Sequence, residues 1–342
     1  MKRNDKKFTL GKLKHDFLAN LLSNLEINDK RVILGSKIGE DAAIIDIPGK
    51  NYLVAKTDPI TFATDQIGYY VVHVNVNDVV CAGAIPKWFQ ATILLSQKTT
   101  TESLIEKIFK DIHDTCKSMG ITVIGGHTEI TPKIDNPLVI GSLLGEVPKE
   151  KLVLTSGAEP GDALILTKGI FIEGTSIIGR EKEKELMEKG FTKEFIEICK
   201  NYLYDPGIGV FREATLANKE FNIKSFHDPT EGGLATGLAE MSIASNTGLI
   251  VDRSKIKILN EPLELSKIYG LDPLGTISSG SLLIAINDNF SDDLIDLLRK
   301  NNINAEKIGF FVKRKEGLRI KETDGKLNPL FYSETDEITK IF

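Results

Sequence analysis

Hydrophobic residues in this chain switch between the two-residue period of strands and the 3.6-residue period of helices. The order of those switches narrows the fold more than any single motif does. LGKLKHDFLANLLSNL puts Leu13, Phe17, Leu21 and Leu22 on one helical face. RVILGSKIGEDAAIIDI and KNYLVAKTDPITF then read as strands, each running into a turn rich in Gly, Asp or Pro. The spacing predicts a helix from Gly68 to Ala84, closed by Gly83 with Pro86 just beyond. KWFQATILLS is a strand, and TESLIEKIFKDIHDTCKSMG is a helix with a threonine N-cap and a closing Gly120. ITVIGGHTEITP and NPLVIGSLLGEVP add two strands. The order β-β-α-β-α-β-β fits neither a doubly wound dinucleotide sheet nor a barrel of eight βα units.

A turn-rich seam around Ser156–Gly161 follows, and a new strand opens at Ala163. Further on come a charged helix over about Glu181–Asn201, a helix carrying ATLANK, and the loop HDPTEGGL leading into LATGLAEMSIASNTG. The strand GSLLIAI and a helix from Ser291 to Lys300 stand near the end. At 342 residues the chain has length for two domains, each able to bury a core. The boundary is expected near residue 155, giving 1–155 and 156–342.

Composition excludes several classes. The charge is 43 − 48 = −5, which is unlike a surface made to bind nucleic acid. No run approaches the ~20 apolar residues that span a bilayer, so no membrane association is expected. The basic N-terminus has no apolar core of a secretory signal. Cys81, Cys116 and Cys199 show neither disulfide nor metal-ligand spacing, which points to the reducing cytoplasm.

Four short segments place acids beside turns at the ends of predicted elements: Gly39-Glu40-Asp41, Thr57-Asp58-Pro59, Asn77-Asp78, and Asp228-Pro229-Thr230-Glu231-Gly232-Gly233. Asn75, Asn77 and Asp78 interrupt an apolar helix and cost stability unless something compensates them. Any one of these acids is equally open to a capping or internal hydrogen-bond role. Four together point to Mg²⁺, which takes oxygen ligands and shares them with nucleotide phosphates. Gly125-Gly126-His127-Thr128 after an apolar strand, and Thr230–Gly233 before a helix, are glycine loops whose N–H groups are free to approach an anion. Each is a weak signal by itself, and His127 is open to a structural role as much as to a phosphate contact. GxxxxGKS/T and GxGxxG are both absent, against a P-loop or Rossmann site.

These segments, in this order and over essentially the whole chain, resemble the AIR synthase superfamily, which includes thiamine-monophosphate kinase, selenophosphate synthetase and the hydrogenase expression/formation protein HypE. GEDAA, TDP, VNDVVCAGAIP, GGHTEI, HDPTEGGLATGLAEM and ISSGSLLIAI are similar to that superfamily's motifs, the last two in a HypE-like form. The resemblance implies an N-terminal α/β domain whose four-stranded sheet pairs with its twin in a homodimer, and a C-terminal α+β domain. It implies ATP and Mg²⁺ in the cleft between them. By motif, Asp41, Asp58 and Asp78 would hold metal and phosphate, with Asp228 approaching from the second domain. Gly39, Asn77, Gly125, Gly126 and Thr128 would line the nucleotide site, and Asp228 or His127 would orient an acceptor that no motif identifies.

The sequence departs from HypE members in three places. They carry a terminal cysteine, whereas here no cysteine follows Cys199; Glu129 stands where they have lysine, and Ser279 where they have the glutamate of S-E-G. The expected function is ATP- and Mg²⁺-dependent activation of an acceptor by phosphoryl transfer. The alternatives are a HypE-type maturation protein without the terminal cysteine, working with a maturation partner, and a non-catalytic nucleotide-binding scaffold.

Overall fold

The computed structural model describes residues 13, 15–37, 39–333 and 335–342. Strands β1 (Val32–Leu34), β2 (Ala43–Asp46), β3 (Asn51–Ile60), β4 (Ile85–Ser96), β5 (Thr122–Thr131) and β6 (Leu138–Pro148) form one sheet, ordered β1-β2-β3-β6-β4-β5. Its pairs are antiparallel except β4 with β5. It has six strands rather than the four the resemblance implies. The difference begins in RVILGSKIGEDAAIIDI, which is two strands: the polar stretch through Gly39 turns the chain back, and Val32 pairs with Ile45.

Helices α1 (His15–Leu22), α2 (Ile67–Cys81) and α3 (Glu102–Ser118) belong to the same half. Thr101 caps α3 by accepting the Leu104 N–H at 3.2 Å. Helix α2 is buried almost all round, as its Ile, Tyr and Val residues on every face require, and Asn75, Asn77 and Asp78 are buried with them. It lies close on the sheet because Gly141 leaves room; a Cβ there would meet the Asn75 amide nitrogen at 2.3 Å. On the apolar side of α1, Phe17 and Leu21 are 41% and 44% exposed. Edge strand β5 is exposed along nearly its whole length, including Val123, Ile124 and Ile130.

A second, seven-stranded sheet is ordered β13-β12-β9-β11-β7-β10-β8. Its strands are β7 (Asp162–Thr167), β8 (Ser225–His227), β9 (Gly248–Asp252), β10 (Leu283–Asn287), β11 (Ala305–Val312), β12 (Leu318–Lys321) and β13 (Leu327–Pro329). Helices α4 (Ile172–Glu181), α5 (Glu183–Glu188), α6 (Lys193–Asn201), α7 (Phe211–Glu220) and α8 (Gly233–Ala244) belong to this half; α8 packs on β8 and β9, and α5 and α6 pack on α4. The single charged helix expected over 181–201 is therefore two helices, α5 and α6, with α4 ending at Glu181. Gly190 at φ +90° stops α5, and Thr192 caps α6 by accepting the Phe195 N–H at 3.1 Å.

The two halves share a core. Tyr70, Val76 and Val80 of α2 pack in one apolar cluster with Phe171, Leu203, Ile208 and Phe226. The C-terminal segment is docked: Ile338 is fully buried, and the Glu337 N–H donates to Gly275 O at 3.1 Å. All three cysteines are buried and free. No helix among the described residues is long and apolar enough to cross a membrane.

Candidate functional site

Three carboxylates meet where the halves join. Asp41 lies in the turn before β2, Asp78 in the last turn of α2, and Asp228 directly after β8. One ligand oxygen from each lies within 4.8 Å of the others. Asp78 and Asp228 are 4% and 2% exposed, and Asp228 Oδ2 has no hydrogen-bond partner among the described residues. Three hard oxygen donors with an unsatisfied buried carboxylate fit a divalent cation of the magnesium type. The same side chains without a cation would repel one another in a poorly solvated junction.

Part of that repulsion is answered by the chain itself. Lys56 and Asp58, two apart on β3, project from the same face of the sheet. The Lys56 ammonium stands 2.8 Å from Asp78 Oδ2 and 3.4 Å from Asp58 Oδ2. His227, 3% exposed, bridges Asp41 at 3.0 Å through Nδ1 and Glu240 of α8 at 2.9 Å through Nε2.

These neighbours set the protonation pattern. Burial opposes a charge on His227, but Asp41 and Glu240 more than compensate and hold its pKa well above the ordinary histidine value. Burial likewise works against Lys56, and Asp78, Asp58 and Asp41 keep it firmly protonated. Burial pushes Asp41 up, yet His227 and then Lys56 outweigh it and leave its pKa lowered. Asp78 goes the other way: burial raises it well above the carboxylate range, Lys56 pulls it down, and Asp228, Asp58 and Asp41 add to the rise. Asp228 is raised to about 7, first by burial and then by Asp41.

The remaining expected site residues divide. Gly39 lies in the Asp41 turn at φ +81°, its Cα side against the α8 backbone at Glu240. Asn77 spends both ends of its amide on the second half. Its Nδ2 donates to Ile208 O at 2.9 Å, and its Oδ1 accepts the Val210 N–H at 2.9 Å. It is a clamp between the halves, and Asn77→Ala would leave both backbone groups buried without partners. A loss of about 2–4 kcal/mol is expected, measured by urea unfolding; a change within about 0.5 kcal/mol would dispose of the clamp.

Gly125, Gly126, His127 and Thr128 are on edge strand β5. Across the sheet Asp58 pairs with Gly141, Gly141 with Ala91, and Ala91 with Gly126. Within one chain this row separates the β5 backbone from Asp58 by three strand spacings, about 14 Å. His127 pairs with Thr92, one position along, so its side chain leaves the opposite face from Asp58; it meets Glu129 at 3.1 Å. Gly126 has a structural reason to be glycine, since a Cβ would strike Ala91 O at 2.0 Å. In the second glycine loop the Gly232 N–H is taken by Asp336 Oδ2 at 2.6 Å.

Sequence reasoning missed Lys56 and the Asp41–His227–Glu240 chain. A lysine two residues before Asp58, following the apolar stretch Tyr52–Ala55, was a legible signal; the bridge from β8 to α8 was not, because Glu240 sits inside an apolar helical pattern.

Two family models match the chain: AIR synthase related protein, N-terminal domain, over residues 39–147, and its C-terminal domain over 159–321. A putative hydrogenase expression/formation protein from Methanocaldococcus jannaschii is 30% identical over 325 residues, 92% of each chain. Carbamoyl dehydratase HypE from Cupriavidus necator is 27% identical, over 78% of this chain and 75% of that protein. In structure, hydrogenase maturation protein HypE in complex with ATP superposes with a TM-score of 0.73 at 22% identity, covering 94% of this chain and 96% of that one. By these matches and by its two sheets joined across a carboxylate cluster, the chain belongs to the AIR synthase-related family, with HypE-type proteins among its relatives.

Proposed function

We propose that the chain binds Mg²⁺–ATP at the junction and activates an oxygen of a second substrate by phosphoryl transfer. The observation that carries this is the convergence of Asp41, Asp78 and Asp228 from three separate segments, with one buried carboxylate oxygen left unsatisfied. The fold shared with a HypE captured with ATP supports the nucleotide, and the hard oxygen donors support the metal. Asp41, Asp78 and Asp228 would hold the ion, with Asp58 beside them. An ion held by these carboxylates would screen them from a triphosphate and supply charge neutralisation for phosphoryl transfer. Lys56 and His227 supply two fixed positive charges that keep the cluster from becoming too anionic to admit a nucleotide. Asp228, arriving from the second half, would orient the acceptor.

Calorimetry of ATP binding with and without Mg²⁺ tests this, on the parent and on Asp58→Asn, followed by ADP release in the same buffer. Binding is expected to need Mg²⁺ and to weaken about tenfold or more in the variant, the loss of one charged contact. Absence of binding at millimolar ATP, or binding indifferent to Mg²⁺, would remove the proposal.

A further inference from the structure

Beside the carboxylate cluster lies a cavity of about 460 Å³, a volume in the range of small-molecule sites. Ile60, Phe62, Ile177 and Ile277 make its apolar wall, and Asp58, Glu173, Glu231 and Ser279 its polar end. Among the described residues lining it, none is Lys, Arg or His.

Glu173 is the unusual member. It stands in the first turn of α4, is 5% exposed, and faces the cavity. Ser279 lines the cavity beside its carboxyl group, whose Oε2 has no hydrogen-bond partner among the described residues. A carboxyl oxygen withdrawn from water without a partner is costly, and such groups in folded proteins ordinarily have a reason. Burial lifts this carboxyl to about 7; Ser279 pulls against that, and Glu231, Asp336 and Asp228 add to it. The charges that bear most on Glu173 are thus negative, and the nearby lysine, Lys56, is held against Asp58 and Asp78. At Glu173 an anionic ligand would meet repulsion, whereas a cation would satisfy Oε2 and relieve the crowding together. A planar N–H fork matches a carboxylate better than a point charge, because both oxygens accept in parallel.

We infer that this cavity binds a ligand carrying a guanidinium- or amidinium-type cation on an apolar stem, with the cation on Glu173 and the stem against the isoleucine and phenylalanine wall. As an assignment of acceptor class, the inference rests on the phosphoryl-transfer reading, since Asp58 borders both the cavity and the metal cluster. The cation site itself does not depend on that reading.

Ligand-observed NMR titration in EDTA, with n-butylguanidinium and butyrate as probes, tests it on the parent, Glu173→Gln and Ser279→Ala. Butylguanidinium is expected to bind the parent, at least tenfold more weakly to Glu173→Gln, and with an intermediate loss to Ser279→Ala; butyrate is expected not to bind. Glutamine keeps the shape and removes the charge, and a thermal melt of each variant verifies that it is folded. Butyrate binding as well as butylguanidinium, or unchanged affinity in Glu173→Gln, overturns the inference. Mg²⁺–ATP calorimetry on the same samples separates the two claims. Guanidinium binding without Mg²⁺–ATP binding leaves the cation site and removes the phosphoryl-transfer reading. Mg²⁺–ATP binding without guanidinium binding does the reverse.

Discussion

Asp78→Asn is expected to lower Mg²⁺-dependent ATP turnover by roughly a thousandfold while leaving the protein as stable as the parent or more so. The two effects have one cause. Asp78 is buried between the Lys56 ammonium and the Asp41 and Asp228 carboxylates, so it is central to any cation held there. Removing one of three anionic ligands takes away charge stabilisation worth several kcal/mol at the phosphoryl group, the scale seen when a preorganised electrostatic contact is deleted. In the metal-free protein the balance is reversed. Burial, with Asp228, Asp58 and Asp41, raises Asp78 well above the carboxylate range despite Lys56, so its charged form is the disfavoured one. A neutral isostere ends that conflict without changing volume. ADP release and urea unfolding on the same preparation test both halves. Turnover at the parent rate would show that the cluster does not hold the metal; turnover lost together with stability would make Asp78 a structural residue.

Lys56→Met is expected to lower the stability of the metal-free protein by about 1–3 kcal/mol, because Asp58 and Asp41 lose the cation they share while Asp78, whose charged form is already disfavoured, takes up a proton. Methionine keeps the length and the apolar stem of lysine but leaves Asp78, Asp58 and Asp41 facing one another with His227 as the remaining counter-charge. Millimolar Mg²⁺ should restore part of the loss, because an ion that binds only the folded state stabilises it by mass action. Denaturant unfolding with Mg²⁺ and with EDTA measures this. The parent, already carrying Lys56, should respond less to Mg²⁺ than the variant does. A variant as stable as the parent in EDTA would mean that Lys56 is not the internal counter-charge. One that is destabilised but indifferent to Mg²⁺ would mean that the carboxylates do not form a cation site.

Much of this arrangement was legible in the residues alone. The periods of β3, α2, β4, α3 and β6 are local and strong, so their existence and order could be read directly. Four acids, Asp41, Asp58, Asp78 and Asp228, could be picked out together because each breaks or borders an apolar element, where a charge needs a partner. Boundaries were harder. The split of RVILGSKIGEDAAIIDI into β1 and β2, and of the 181–201 helix at Gly190, both turn on a short polar or glycine interruption inside a longer pattern.

Roles that depend on which residues face each other could not be read that way. Asn77 stands next to Asp78 in sequence, but on a helix adjacent positions diverge by about 100°. Asn77 consequently bonds to the backbone of Ile208 and Val210 while Asp78 enters the cluster. The Gly125–Thr128 segment reads as a phosphate loop; within one chain the sheet sets its backbone about 14 Å from Asp58, and Gly126 lets β5 approach Ala91 of β4. Gly232 has the right place at a helix start, but Asp336, a hundred residues on, already holds its N–H. Sequence by itself determined the two-part architecture and the family, because both follow from local periodicity and from motifs in a fixed order. Tertiary structure alone decided that Lys56 and His227 neutralise the acids, that Asn77 clamps the halves, and that Glu173 is left facing a cavity. Those outcomes are set by pairings between residues as many as 186 positions apart, and no local pattern encodes a distance of that kind.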